Sequence, residues 1–157
     1  MTESTVVHNT FVLERSYPQP PARVFAAFAQ PEKKRRWYAE GDHELQQYEL
    51  EFKVGGGERM RYRFKEGHPI AGMEIDNSGT FQDIVPEKRI VEASKMLLNG
   101  KPISVSLVTL EFVEKDGGTE LICTHQGVFY EGSGGPQMRE MGWKALFEKL
   151  GKDLGSK

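Results

Sequence analysis

From Gln47 onward the hydrophobic period of the chain becomes two, and this restricts its fold more than any other feature. Tyr48, Leu50 and Phe52 alternate with Gln47, Glu49, Glu51 and Lys53; after Gly55-Gly56-Gly57, Met60, Tyr62 and Phe64 alternate with Arg59, Arg61, Arg63 and Lys65. Successive side chains of a strand point to opposite faces, so this pattern predicts a hairpin with one apolar and one wet face. Further strands are expected at 79–85, 89–98, 103–113 and 119–129. They are separated by Pro86-Glu87, Asn99-Gly100 and Asp116-Gly117-Gly118, the turn chemistry of an antiparallel meander. Within 103–112 the apolar phase slips from Ile103, Val105 and Leu107 to Val108, Leu110 and Phe112, which predicts a bulge or strong coiling near Leu107.

Helical patterns flank the meander. A strand at 8–16 ends at Pro18, Pro20 and Pro21, after which Val24, Phe25 and Phe28 share one face of a short helix; Pro31 starts a second, Glu32 to Tyr38. Beyond Gly132, Gly134, Gly135 and Pro136 a long helix is expected at 137–154. It carries one stripe of Trp143, Leu146, Phe147, Leu150 and Leu154, and a second of Met138, Met141 and Ala145. Two apolar stripes need two partners, one of them the sheet or a cavity and the other the small helices or a second subunit. The order predicts one α+β body over 8–155, preceded by a flexible stretch at 1–7.

Several chemistries fail on position. Gly55-Gly56-Gly57 lacks the later glycine of a dinucleotide turn, and no phosphate-binding loop or Gly-x-Ser-x-Gly elbow occurs. His43-Glu44 has Gln47 where a zinc-protease helix needs histidine. Asp76-Asn77-Ser78 has Phe81 where a calcium loop needs glycine. No metal or cofactor is therefore assigned. Cys123 and His125 share a strand face, but spacing supplies no third ligand or orienting carboxylate, so they read as a packed thiol and a hydrogen-bonded imidazole. The net charge is −2, and the aromatics near Arg59, Arg61 and Arg63 lie on the opposite face from them, which argues against nucleic acid. A single cysteine, no signal-peptide pattern and no long apolar run lead to an expectation of a cytoplasmic protein that does not enter membranes.

Taken in order, Pro18 to Phe28, Pro31-Glu32 to Trp37, Glu51-Phe52-Lys53-Val54-Gly55-Gly56, Pro86 to Val91, Gly118-Thr119-Glu120-Leu121 and Gly142-Trp143 with Leu146 and Leu150 resemble the motifs of one family. It is the activator of heat-shock protein ATPase homologue-like family, within the START-like, polyketide-cyclase-like (SRPBCC) superfamily. Glu51 and Lys53 depart from its Asp-x-Arg-x-Gly-Gly hairpin. The resemblance implies a helix-grip fold, a curved antiparallel sheet wrapped around the C-terminal helix, with a cavity that in many members holds an apolar small molecule.

The expected function is binding of a small hydrophobic ligand, by a monomer or homodimer, in a pocket bordered by Trp37, Tyr48, Met60, Tyr62, Phe64, His125, Phe129, Met141 and Trp143. Tyr48, Met60, Tyr62 and Phe64 are assigned inward because their strand neighbours are charged. A cyclase or dehydratase is the alternative, with His125, Tyr62 and Asp83 as acid or base candidates of unfixed mutual geometry. A chaperone-regulating interaction domain, suggested by the family name alone, ranks last.

Overall fold

A computed structural model describes residues 5–156. Residues 1–4 of the expected flexible stretch lie outside the described residues. β1 (Val7–Tyr17) leads to helix α1 (Pro21–Ala29) and the single turn α2 (Pro31–Lys34), which continues into a π-helical turn at Arg35–Ala39. The strands β2 (Glu44–Leu50), β3 (Gly57–Arg63), β4 (Glu74–Val85), β5 (Arg89–Leu98), β6 (Lys101–Lys115) and β7 (Gly118–Phe129) follow, and helix α3 (Gly135–Gly155) ends the chain.

The seven strands form one antiparallel sheet in the order β1-β7-β6-β5-β4-β3-β2. Six consecutive strands make a meander, and β1 is placed beside the last of them. The two β-hairpins at Asn99-Gly100 and Asp116-Gly117 hold both turn residues at positive φ, the twist that matches paired strands. With α3 laid on the inner face, this is the helix-grip α+β fold.

Three details differ from the pattern-based expectation. β4 begins at Glu74 rather than 79, although Asp76-Asn77-Ser78 is turn-like in composition. Pairing with β3 holds it extended, and Arg59 bonds Asp76 through both carboxylate oxygens at 3.2 and 2.8 Å on the wet face. β2 ends at Leu50, and Glu51-Phe52-Lys53 turn into the glycine loop; a side chain on Gly56 would strike the Glu51 carbonyl.

The third concerns β6, where no register shift occurs near Leu107. The irregularities lie between Leu45 and Gln47, between Phe81 and Asp83, and between Met96 and Leu97. Ser104, Ser106, Val108, Leu110 and Phe112 all face inward in one unbroken phase, while Val105 and Leu107 are exposed on the outer face. The apparent slip came from taking every apolar residue as inward. Two inward positions are serines.

The space between α3 and the sheet is divided. Its lower half is solid: Phe25, Phe28, Trp37, Phe52, Phe81 and Phe112 form edge-to-face pairs, joined by Phe147, Leu150 and Leu154 from the C-terminal half of α3. Tyr17 anchors this half by donating its buried hydroxyl to the Phe147 carbonyl at 2.9 Å. The N-terminal half of α3, with Arg139, Gly142, Trp143 and Leu146, instead roofs a hollow.

Candidate functional site

The hollow is a cavity of about 550 Å³, within the range of pockets that enclose drug-sized molecules. Its walls are mostly apolar. Met60, Tyr62 and Phe64 contribute from β3 and the residue after it, Ile75 from β4, Met96 and Leu98 from β5, Ile103 and Val108 from β6, and Trp143 and Leu146 from α3. Gly132, Ser133 and Gly134 border one end, next to the start of α3.

Of the residues expected at the pocket, Met60, Tyr62, Phe64, His125 and Trp143 come together around this cavity, and Trp37, Tyr48, Phe129 and Met141 do not line it. Trp37 is 1% exposed. The π-helical turn sends it towards α1, where its indole N–H donates to the Ala27 carbonyl at 2.9 Å, and presents its neighbour Tyr38 to the cavity instead. Tyr48 lies behind the wall and donates its hydroxyl to Glu58 at 2.6 Å. Phe129 is buried behind His125 and Arg139, its ring centre 5.9 Å from the imidazole centre and 5.3 Å from the guanidinium carbon. Met141 is 66% exposed and Ala145 is exposed too, while Met138, 62% exposed, borders the cavity; among the described residues nothing covers this stripe of α3. Asp83 stands outside the cavity, paired with Arg89 at 2.7 Å.

Two polar groupings interrupt the apolar wall. The first joins β3, β5 and α2. Lys34 and Glu58 are each 5% exposed, and the ammonium reaches both carboxylate oxygens of Glu58 at 2.9 and 2.8 Å. The ammonium also lies 4.4 Å from the Tyr38 ring centre, a cation–π contact. Glu92 completes the group within hydrogen-bonding reach of Glu58. Burial, and then the Glu58 charge, hold its carboxyl well above the usual range, outweighing the opposing pull of Lys34. Glu92 is thereby biased towards its protonated form. Gly79 on β4 makes room for it, since a side chain there would collide with the Glu92 carboxyl.

The second grouping lies where β6 and β7 meet α3. Arg139 donates through Nη2 to Ser104 at 2.6 Å and through Nη1 to Ser106 at 3.3 Å, with the Met96 sulfur 3.4 Å from Nη2. These bonds explain the inward serines of β6. His125 is 1% exposed and stacks on Phe11 with ring centres 4.7 Å apart. Burial, and then the Arg139 charge, lower its pKa to about 4, so the imidazole is neutral at pH 7. Cys123, two residues earlier, is fully buried, and desolvation raises its thiol to about 12. That thiol is a packing group rather than a nucleophile.

Sequence reasoning missed Lys34, Glu58, Glu92 and Arg139, yet two of them carried a signal. Glu58 is in phase with Met60, Tyr62 and Phe64, and Arg139 stands four residues before Trp143 on the same helical face. Among the described residues no cluster of three or more His, Cys, Asp or Glu side chains could hold a metal, and no helix is long and apolar enough to cross a membrane.

Comparison with known proteins agrees with this architecture. Residues 18–155 match the family model described as Activator of Hsp90 ATPase homolog 1-like protein. Among solved structures, the Mll3558 protein of Rhizobium loti is 41% identical, with 96% of this chain and 99% of that one covered and a TM-score of 0.84. An uncharacterised protein of Rhizobium leguminosarum is 35% identical over 97% of each chain, with a TM-score of 0.89. CalU16 of Micromonospora echinospora shares the fold at 20% identity, with 97% of this chain and 85% of that one covered and a TM-score of 0.63. No curated protein matches.

Proposed function

We propose that this chain, which belongs to the Activator of Hsp90 ATPase homolog 1-like family, binds a small, predominantly apolar molecule between the sheet and α3. The observation that carries the reading is the 550 Å³ cavity itself. Close-packed interiors seldom leave voids larger than a water molecule, and a dry apolar void loses dispersion contacts along its whole lining. Filling this one would restore those contacts and remove the ligand's apolar surface from water. Met60 and Met96 suit the task because unbranched thioethers adapt to ligands of varied shape.

The test uses the neutral dye 1-anilinonaphthalene. Saturable binding with quenching of Trp143 is expected, and the quenching should vanish in Trp143→Phe, which leaves the buried Trp37 as reporter. Absence of saturable binding to the wild-type protein would sink the reading. Catalysis of a cyclase or dehydratase type is a second reading, favoured by one feature. Glu92 is a carboxyl at the cavity wall that burial and the neighbouring Glu58 hold above the usual carboxylate range, the direction a general acid requires.

A further inference from the structure

Arg139 is the feature of the cavity that ligand binding by apolar contact alone leaves unexplained. A guanidinium is charged at every accessible pH, and taking it out of water is costly unless an anion accompanies it. Among the described residues, none of the ion pairs includes Arg139. Its partners are two serine hydroxyls, a thioether and the face of Phe129, all neutral. Of the carboxyl groups on the cavity wall, Glu58 is already matched by Lys34, and Glu92, held above the usual carboxylate range by burial, is in none of these pairs. Three bonds use three of the five guanidinium N–H groups, leaving two for a ligand.

A second observation lies beside it. Nδ1 of His125 is buried with no hydrogen-bond partner, in a residue that lines the same cavity. A buried polar atom without a partner costs free energy, which marks this end of the cavity as polar and incompletely satisfied. Ser104 and Ser106 hold the guanidinium from the sheet side, which fixes the orientation of its planar fork. The N–H groups left free, on Nε and Nη1, can each donate a charge-assisted bond to a carboxylate oxygen.

We infer that the ligand is an organic acid with one carboxylate, seated on Arg139 at the Gly132–Gly134 end of the cavity, with its apolar body extending towards Met60, Tyr62 and Ile75. This rests on the ligand-binding reading above and narrows it to a chemical class. The Arg139 guanidinium supplies charge-assisted bonds to the head group. His125, which burial and the Arg139 charge keep neutral, adds no competing charge. The acid binds as the anion, since a protonated carboxylic acid would leave the guanidinium charge unanswered.

The experiment compares 2-naphthoate with 2-naphthamide, its neutral isostere, by calorimetric titration at pH 7.5 in low salt, with 1-anilinonaphthalene as an apolar control. The wild-type protein should prefer the acid about tenfold or more, the scale of one charge-assisted contact. Arg139→Met should erase that preference, the acid losing about tenfold or more relative to the amide. Arg139→Lys, which keeps the charge but not the planar group anchored by Ser104 and Ser106, should fall between. If the amide and the dye bind and the acid has no advantage, the acid assignment is overturned and the apolar-ligand reading survives. Retention of the preference in Arg139→Met overturns the assignment too. If none of the three probes binds the wild-type protein, both fall. Should Arg139→Met fail to fold, the wild-type preference and the weakened preference in Arg139→Lys decide the matter.

Discussion

Replacing Glu92 by Gln should change how stability depends on pH. In the folded protein Glu92 keeps its proton well above 4.5, the value expected for the unfolded chain, because burial and the neighbouring Glu58 charge oppose ionisation. Between 4.5 and the folded pKa the native state therefore holds one proton more than the unfolded state. A raised acid pKa contributes stability that is complete below the unfolded value and is lost as pH rises towards the folded one. With one proton of difference the slope is about 1.4 kcal/mol per pH unit, falling with pH. Gln is isosteric with the protonated acid and can still donate to Glu58, but it does not titrate. Urea unfolding of both proteins at half-unit steps from pH 5, followed by tryptophan fluorescence, should show the variant gaining about 1.4 kcal/mol per unit on the wild type, or about 3–6 °C in Tm. Taking the difference removes the shared titrating groups that do not interact with Glu92. Parallel curves between pH 5 and 7 would mean that Glu92 is ionised in the fold, and the neutral-acid assignment would be wrong.

The buried Lys34–Glu58 pair should respond to loss of either partner. Glu58→Gln or Lys34→Met should each cost about 3–5 kcal/mol, because a charge with 5% exposure is left unanswered, and Lys34→Met combined with Glu58→Leu should recover much of the loss; urea unfolding reads this, and a loss near zero in the single variants contradicts burial of the pair. His125 titrates with the opposite sign to Glu92, since its pKa drops from 6.5 to about 4 on folding. The unfolded chain gains a proton below 6.5 that the native state refuses until about 4, so stability is lost on acidification through that window, and His125→Phe should flatten the loss by about 1.4 kcal/mol per unit.

The architecture was largely legible because its signals are local. Period-two alternation marked the β2–β3 hairpin, Asn99-Gly100 and Asp116-Gly117 marked turns, and the Trp143 to Leu154 stripe marked the final helix, each set by residues close in sequence. The apolar part of the cavity followed from the same alternation. What remained hidden depends on partners distant in the chain. Ser104 and Ser106 face inward because Arg139 bonds them from an element more than thirty residues away. Glu92 is tolerated because burial beside Glu58 favours its protonated form and Gly79 vacates the space. Trp37 and Tyr38 exchanged roles because the turn at Arg35–Ala39 is π-helical, which shifts the face each residue presents relative to an α-helix. The rule that polar residues point outward failed where the inner face carries chemistry.

The ionisable groups of the cavity wall meet burial in three ways. Glu92 and His125 give up their charge, one by keeping a proton and the other by refusing one, and Lys34 and Glu58 neutralise each other at hydrogen-bonding distance. Those are the ordinary outcomes when charge is moved out of water. Arg139 has neither available to it. Burial lowers its pKa, but a guanidinium starts so far above neutrality that it stays protonated, and no carboxylate among the described residues pairs with it. Had the site needed only a hydrogen-bond donor there, an uncharged side chain would have served without the desolvation cost. A fixed cation without an ion pair at one end of a mostly apolar cavity selects for an anion with an apolar body. The same arrangement penalises neutral ligands, which would have to bury the guanidinium further without answering its charge.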